Sequence, residues 1–238
     1  MLPQAVLFDL DDTLLDDNKA SEVAWQKACV MCSSKTHSIS SDMLFTRIDF
    51  LRKRYWRDAK RNRADDPGRL NYSVARMFIV REALTELGCN TDELANEIVN
   101  NYTALKTKSF VFIEKAENVL TELKKRGVRL ALLTNGEGYE QRIKIERYGI
   151  RNYFDICLVE GELGYGKPDP RIFASALDKL KVSAKDAWMV GNDLHFDIGG
   201  ARQSGIYAVW CDYKRAGLPM DSPVKPDRII HNIAEILN

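Results

Sequence analysis

The fold is decided by a segment near the N-terminus, QAVLFDLDDT, which covers residues 4–13. Its first part, Gln4–Leu10, is mainly apolar and runs into a cluster of acidic residues. A short apolar run of this kind is typical of a β-strand that is buried on both faces of a parallel sheet. Because ligands bind parallel sheets beyond the carboxyl ends of the strands, the segment also predicts where a functional site lies.

Five later apolar runs resemble the first and are separated by amphipathic stretches. They predict strands at Val128–Thr134, Phe154–Val159, Ala187–Val190, Ile206–Trp210 and Arg228–Ile230. Between them, Lys115–Arg126 and Pro170–Leu180 place their apolar residues on one helical face, and Asp169 is a favourable N-cap for the second helix. The alternation of strand and helix predicts an α/β fold, with a Rossmann-like parallel sheet covered by helices.

The alternation stops between the first two strands, where no convincing strand occurs. This region predicts a turn at residues 65–68 and helices at Ser21–Cys32, Asp42–Arg63, Tyr72–Leu87 and Asp92–Leu105. We therefore predict two domains. Residues 1–17 and 107–238 form the Rossmann-like core, and residues 18–106 form an inserted all-helical domain.

Composition is that of an ordinary soluble globular protein. The chain has 35 basic and 34 acidic residues, which favours neither a nucleic-acid nor a membrane partner. Its five scattered cysteines fit a reducing compartment, and acids follow the N-terminal apolar patch where a secretion signal has none. Cys29 and Cys32 are interpreted as packed helical thiols. We expect a cytoplasmic protein, and the sequence leaves monomer or homodimer open.

Two carboxylates follow the first strand and suggest phosphoryl transfer. Asp9 is placed to attack a phosphoryl group as a nucleophile, which gives an acyl phosphate that water cleaves. Asp11, two residues on, is placed to protonate the leaving oxygen and later to deprotonate water. Because negative charges repel, a cation must lie between nucleophile and phosphate, and Mg²⁺ suits oxygen ligands. The alternative is that these acids only form a turn after the strand.

Polar residues after two later segments suggest phosphate contacts. Thr134 and Asn135 end the second strand, where a hydroxyl and backbone N–H groups can hold phosphate oxygens. Lys167 precedes Pro168, which favours an extended backbone, and is placed to neutralise nucleophile and phosphate. The alternatives are ordinary turn chemistry for the first pair and an exposed loop lysine for the second.

Acids also follow the fourth strand, in the segment Gly191–Asp197. Its acids, Asp193 and Asp197, lie at the site end and are candidates to complete a metal shell. Helix capping by Asp193 or Asp197 is the alternative. His195 is interpreted as a surface or supporting residue, since it has no histidine or cysteine partner at ligand spacing.

These four pieces, in this order, resemble the haloacid dehalogenase superfamily of hydrolases over nearly the whole chain. The resemblance implies a Rossmann-like core, a mobile helical cap of the family's first type, Mg²⁺ and an aspartyl-phosphate intermediate on Asp9. It implies that Asp9 also binds the metal, that Asp11 is the acid/base and binds metal through its backbone carbonyl, and that Thr134 and Lys167 hold the phosphate. The chain is similar to capped phosphatases that act on sugar phosphates, so a small phosphorylated metabolite is the expected partner.

One departure from the family pattern concerns the metal. The fourth motif usually reads Gly-Asp, whereas here Asn192 takes the place of the first acid and Asp193 is displaced by one position. An amide oxygen ligates Mg²⁺ without charge. Either Asn192 binds the metal more weakly or Asp193 substitutes for it.

Three other functions compete with the phosphatase interpretation. A dehalogenase of this superfamily uses no metal and lacks an acid equivalent to Asp11, and a phosphomutase needs a cap that retains a bisphosphate. A non-catalytic relic with only a binding role has Asn192 as its one supporting feature. Nucleic-acid binding is suggested by a basic cluster interleaved with Tyr55 and Trp56, against which a solvated helix face is the alternative. The cluster comprises Arg52, Lys53, Arg54, Arg57, Lys60, Arg61 and Arg63.

Overall fold

The chain forms two compact units in its computed structural model. The model describes residues 2–36, 39–61, 68, 70–89 and 91–238, with the backbone only for residues 58–61. One unit comprises Met1–Asp16 and Val111–Asn238, and the other comprises Asp17–Phe110. These limits lie within a few residues of the domain boundaries expected from the sequence, while the role of the helical unit as a cap stays a prediction.

The first unit is built on a parallel sheet, which confirms the predicted α/β, Rossmann-like core. Its six strands, in the described part of the chain, have the order β3-β2-β1-β4-β5-β6. They are β1 (Ala5–Phe8), β2 (Arg129–Thr134), β3 (Ile156–Val159), β4 (Ala187–Gly191), β5 (Tyr207–Cys211) and β6 (Arg228–Ile230). Every strand lies within a few residues of an apolar run that the sequence analysis identified.

The strand register brings the polar segments to one edge of the sheet. Phe8 of β1 pairs with Leu132 of β2 and with Val190 of β4. The Asp9 backbone N–H then donates to the Val190 carbonyl at 3.0 Å, so the chain leaves β1 still attached to β4. The residues that follow these three central strands therefore emerge side by side at the carboxyl edge.

Helices connect the strands in this unit. They are α5 (Ala116–Lys125), α6 (Gly138–Arg147), α7 (Glu160–Leu163), α8 (Pro170–Leu180) and α9 (Gly200–Gln203). Asp169 accepts from the Arg171 N–H and Pro170 opens the helix, as the sequence predicted for α8. Phe173 of α8 and Ile198 pack in a fully buried apolar layer with Leu7 and Met189 of the central strands. Burial of these apolar side chains stabilises the packing of α8 against the sheet, whose carboxyl edge carries the site.

The second unit has its own apolar core, made by four helices within the described residues. They are α1 (Asp17–Cys32), α2 (Ser41–Arg61), α3 (Tyr72–Glu86) and α4 (Asp92–Lys106). Trp25 of α1 stacks on Tyr102 of α4 with ring centroids 3.7 Å apart. Cys29 and Cys32 are buried free thiols in the same core, and burial raises the pKa of Cys29 to about 12. The interpretation of these cysteines as packed thiols is confirmed.

Three residues of the basic cluster, all on α2, are paired with neighbouring acids. Arg52 and Lys53 both pair with Asp49, and Arg54 pairs with Glu82. The Trp56 ring makes an edge contact with Tyr72. Such pairing offsets part of the positive charge that these three residues would offer a polyanion. The side chains of Lys60 and Arg61 lie outside what the structure describes, as do Arg63 and most of the turn expected at residues 65–68.

Across the described ranges we find no helix with the length and apolar character that a membrane crossing requires.

Candidate active site

The site centres on Asp9, the first residue after β1. Asp9 is 7% exposed, and its carboxylate is held from two sides. Thr13 Oγ1 donates to Oδ2 at 2.9 Å, and the Lys167 ammonium lies 2.6 Å from Oδ1. Both donors restrict the rotation of the carboxylate, so Asp9 presents a fixed oxygen pair at the sheet edge.

Lys167 is an almost fully buried cation that serves two carboxylates. Its Nζ lies 2.6 Å from Asp9 Oδ1 and 2.7 Å from Asp197 Oδ1. Burial alone disfavours the ammonium, but the charges of Asp197 and Asp9 outweigh it and raise the pKa of Lys167 above its usual value. Lys167 is therefore charged at neutral pH, and it is not the exposed loop lysine of the alternative interpretation.

The backbone of Lys167 is held by the residue that follows Thr134. The Asn135 side chain accepts from the Lys167 N–H at 2.8 Å and donates to the Lys167 carbonyl at 2.7 Å. The peptide bond between Lys167 and Pro168 is cis. The amide of Asn135 thus has a structural task here, and its contact with phosphate stays a prediction. Thr134, 1% exposed, ends β2 at the same edge.

Asp11 is held by two side chains of α6 that sequence reasoning missed. Lys144 Nζ lies 2.8 Å from both Asp11 oxygens, and Gln141 Nε2 donates to Oδ2 at 2.9 Å. A signal existed: Gln141 and Lys144 are three residues apart on a helix that begins just after the second strand, so both side chains share one face near the site. The acid/base candidate is therefore an anchored carboxylate rather than a free turn residue.

The two acids in the segment after β4, Asp193 and Asp197, have different hydrogen-bond partners. Asp193 Oδ1 accepts from the N–H groups of His195 and Phe196, which is the capping role named as the alternative for this residue. Asp197 is buried, and its Oδ2 accepts from the Asp193 N–H at 2.9 Å. His195 is exposed, as expected.

Gly191 leaves the room that Asp197 needs. A Cβ on Gly191 would lie less than 3.0 Å from the Asp197 carboxyl group, nearer than real Cβ atoms approach any neighbour. Burial raises the pKa of Asp197 above its ordinary value, and the positive charge of Lys167 opposes that rise. The glycine therefore permits the close packing that places Asp197 against Lys167.

The residues at this edge of the sheet offer oxygen ligands for a metal ion. Within the described residues, no group of three or more His, Cys, Asp or Glu side chains is arranged to hold a metal ion. Mg²⁺ needs less, because it is commonly bound by one or two carboxylates together with waters and substrate oxygens. The Asp9 carboxylate, the Asp11 carbonyl and the Asn192 amide are hard oxygen donors of that kind, so the donor set fits Mg²⁺.

Comparison with known proteins identifies the class. The family model for haloacid dehalogenase-like hydrolases matches residues 3–205. The HAD hydrolase YfnB of Bacillus subtilis, whose structure was determined with bound magnesium, superimposes with a TM-score of 0.78 at 20% identity, over 99% of this chain and 97% of YfnB. The chain belongs to the haloacid dehalogenase-like hydrolases.

Two curated relatives narrow the class to phosphatases. The phosphoserine phosphatase of Thermus thermophilus is 33% identical, over 97% of this chain and 96% of its own length. The N-acylneuraminate-9-phosphatase of Rattus norvegicus is 32% identical, over 98% of this chain and 92% of its own length. With the family match, they make this chain an enzyme of the phosphoric monoester hydrolase class.

Proposed function

We propose that this enzyme hydrolyses the phosphate monoester of a small metabolite, such as a sugar phosphate, through an acyl phosphate on Asp9. The observation that carries the proposal is the 2.6 Å contact between Asp9 Oδ1 and the buried Lys167 ammonium. A fixed carboxylate with an adjacent permanent cation is suited to attack an anionic phosphoryl group, because the cation offsets the repulsion between the two anions.

Each step uses side chains of this chain. An Asp9 oxygen attacks phosphorus while Asp11 gives a proton to the departing ester oxygen, which releases an alcohol. Asp11, now a carboxylate, then takes a proton from water, and the water oxygen attacks phosphorus. The P–O bond to Asp9 breaks, which restores the carboxylate and releases phosphate. Lys167 remains charged throughout, and Thr134 with Asn135 contacts the phosphoryl oxygens.

A magnesium ion is part of the proposal. The Asp9 carboxylate, the Asp11 carbonyl and either Asn192 or Asp193 would hold it, and YfnB, which has the same fold, was determined with magnesium. When bound, it offsets the charge on the phosphoryl oxygens. A cytoplasmic location also belongs to the proposal and is supported by the free cysteines of the described residues.

The proposed function predicts metal-dependent turnover of a generic substrate. Wild-type enzyme should hydrolyse p-nitrophenyl phosphate with Mg²⁺, lose that activity in EDTA, and regain it when Mg²⁺ is restored. Phosphate release with the metabolites named for the relatives, phosphoserine and N-acylneuraminate 9-phosphate, then defines the substrate class. Undiminished turnover in EDTA would contradict the metal requirement. No turnover of any phosphate ester with Mg²⁺, Mn²⁺ or Co²⁺ would favour the non-catalytic binding protein.

The choice between Asn192 and Asp193 predicts opposite results for two variants. If Asn192 is the ligand, Asn192→Asp adds a negative charge to the shell, and the dissociation constant for Mg²⁺ should fall by roughly tenfold. Asp193→Asn should then change Mg²⁺ affinity little, because its amide oxygen still accepts the capping bonds. Calorimetric titration with Mg²⁺ measures both. An unchanged affinity in Asn192→Asp, with a weakened one in Asp193→Asn, would assign the ligand to Asp193 instead.

A further inference from the structure

We infer that Lys144 and Gln141 are positioning residues that hold Asp11 in the orientation it needs for proton transfer. The inference rests on the proposed function, in which Asp11 is the acid/base. Neither residue belongs to the four motifs that indicated the family. Both lie on α6, and both side chains reach the same carboxylate.

The Lys144 contact has the geometry of a clamp. Its Nζ is 2.8 Å from Asp11 Oδ1 and 2.8 Å from Oδ2, so the ammonium faces both oxygens equally. The Lys144 side chain is 4% exposed and that of Asp11 is 27% exposed. Because the lysine is buried, solvent screens the pair less than it screens an ion pair on the surface. The carboxylate is therefore held at both oxygens while one side of it stays open to solvent.

The Gln141 contact fixes the same carboxylate from a second direction. Its Nε2 donates to Asp11 Oδ2 at 2.9 Å and to the Asn135 carbonyl at 2.7 Å. Two acceptors at one nitrogen settle the orientation of the amide, since the reverse orientation would set Oε1 against both. Gln141 is fully buried, and within the described residues Oε1 has no hydrogen-bond partner. A buried amide oxygen without a hydrogen-bond partner lowers stability. The two hydrogen bonds that Nε2 donates are therefore what Gln141 contributes to the site.

These contacts connect Asp11 to Lys167, the cation beside Asp9. The carbonyl of Asn135 accepts from Gln141, and the side chain of Asn135 holds the Lys167 backbone. A continuous chain of hydrogen bonds therefore runs from Asp11 to Lys167. It links the position of the group that transfers the proton to that of the cation beside the nucleophile, and the relative placement of such groups contributes to catalysis.

A positioning role and a merely structural role predict different effects of the leaving group on the loss of kcat/KM in a variant. Phenolate is a basic leaving group that gains from protonation by Asp11, whereas p-nitrophenolate departs with little help. Phenyl phosphate and p-nitrophenyl phosphate have nearly the same shape, so they probe proton transfer with little change in binding. Loss of positioning should lower kcat/KM for phenyl phosphate selectively, while general damage to the site lowers both.

The test compares Lys144→Met with wild type on the two esters. We expect kcat/KM for phenyl phosphate to fall at least about tenfold more than that for p-nitrophenyl phosphate. Lys144→Arg, which keeps the charge, should recover part of the selective loss. Arg147→Met, an exposed change one turn further along α6, should leave both values as in wild type. Gln141→Leu tests the second contact in the same assay if Lys144→Met does not fold.

The inference is overturned if kcat/KM falls equally on both esters. It is also overturned if kcat/KM for phenyl phosphate rises, because the Lys144 contact would then hold Asp11 in an unproductive orientation. Asp11→Asn separates this failure from failure of the proposed function. If Asp11→Asn itself shows no selective loss on phenyl phosphate, the assignment of Asp11 as the acid is wrong. If Asp11→Asn shows the selective loss and Lys144→Met does not, only the positioning role is wrong.

Discussion

Replacing Asp9 with asparagine is expected to lower kcat for p-nitrophenyl phosphate by roughly 10⁴-fold or more, because an amide oxygen does not form the acyl phosphate. Stability should change far less. Lys167 retains Asp197 as a partner at 2.7 Å, and the amide oxygen of the new residue still accepts a hydrogen bond. The combination of a lost activity and a retained fold is what a nucleophile predicts and what a merely structural carboxylate does not.

Asp12→Asn is the matched control for this change. Asp12 is in the same acidic cluster but has a left-handed backbone, with φ of 62°, which asparagine adopts readily. We expect nearly wild-type kcat from it. Thermal unfolding of both variants checks that they fold. Activity in Asp9→Asn within about tenfold of wild type, with folding intact, would remove Asp9 from the role of nucleophile.

Replacing Lys167 with methionine is expected to affect both stability and rate. The change removes the ammonium between two buried carboxylates, and breaking a buried pair in this way lowers the free energy of unfolding by roughly 3–5 kcal/mol. In the fraction that folds, kcat/KM should fall by roughly 10²- to 10³-fold, as when one preorganised donor to a developing negative charge is lost. Urea denaturation gives the first quantity and initial rates the second.

Lys185→Met, an exposed lysine of the same unit, controls for the loss of one positive charge in general. It should change the free energy of unfolding by less than about 0.5 kcal/mol. A Lys167→Met enzyme as stable as wild type would mean that Asp9 and Asp197 do not depend on the lysine charge. That result would contradict the electrostatic basis of the site.

The sheet was predictable from sequence because its strands are buried and therefore apolar along their whole length. Even the three-residue strand β6 follows from the Arg228–Ile230 run. Helix ends were less predictable: α1 begins at Asp17 rather than at the expected Ser21, because its first turn is mainly polar and carries no apolar periodicity. The strand order was also beyond reach, since it depends on contacts between distant segments.

The partners of Asp11 show why part of the site was not predictable. The spacing of Gln141 and Lys144 places both on one face of a helix, but lysines are mostly exposed, so that spacing does not mark Lys144 as buried. Its contact with Asp11 joins residues 133 positions apart in the chain, and it depends on how α6 packs against the end of β1. Asp9, Asp11 and Lys167 are candidates from the sequence because each lies within a few residues of a strand end or of a helix start.

The acyl phosphate itself is tested most directly by chemical trapping. Enzyme that is turning over p-nitrophenyl phosphate with Mg²⁺ is quenched rapidly and treated with borohydride, which reduces an aspartyl phosphate to homoserine, and the peptide around residue 9 is then sequenced by mass spectrometry. Asp11→Asn enzyme provides a second sample, in which slower attack by water should raise the trapped fraction. Homoserine at position 9 in turnover samples, and in none without substrate, is the predicted result. Covalent catalysis by Asp9 would be contradicted if wild-type enzyme were fully active while position 9 remained an unreduced aspartate both in it and in the Asp11→Asn sample.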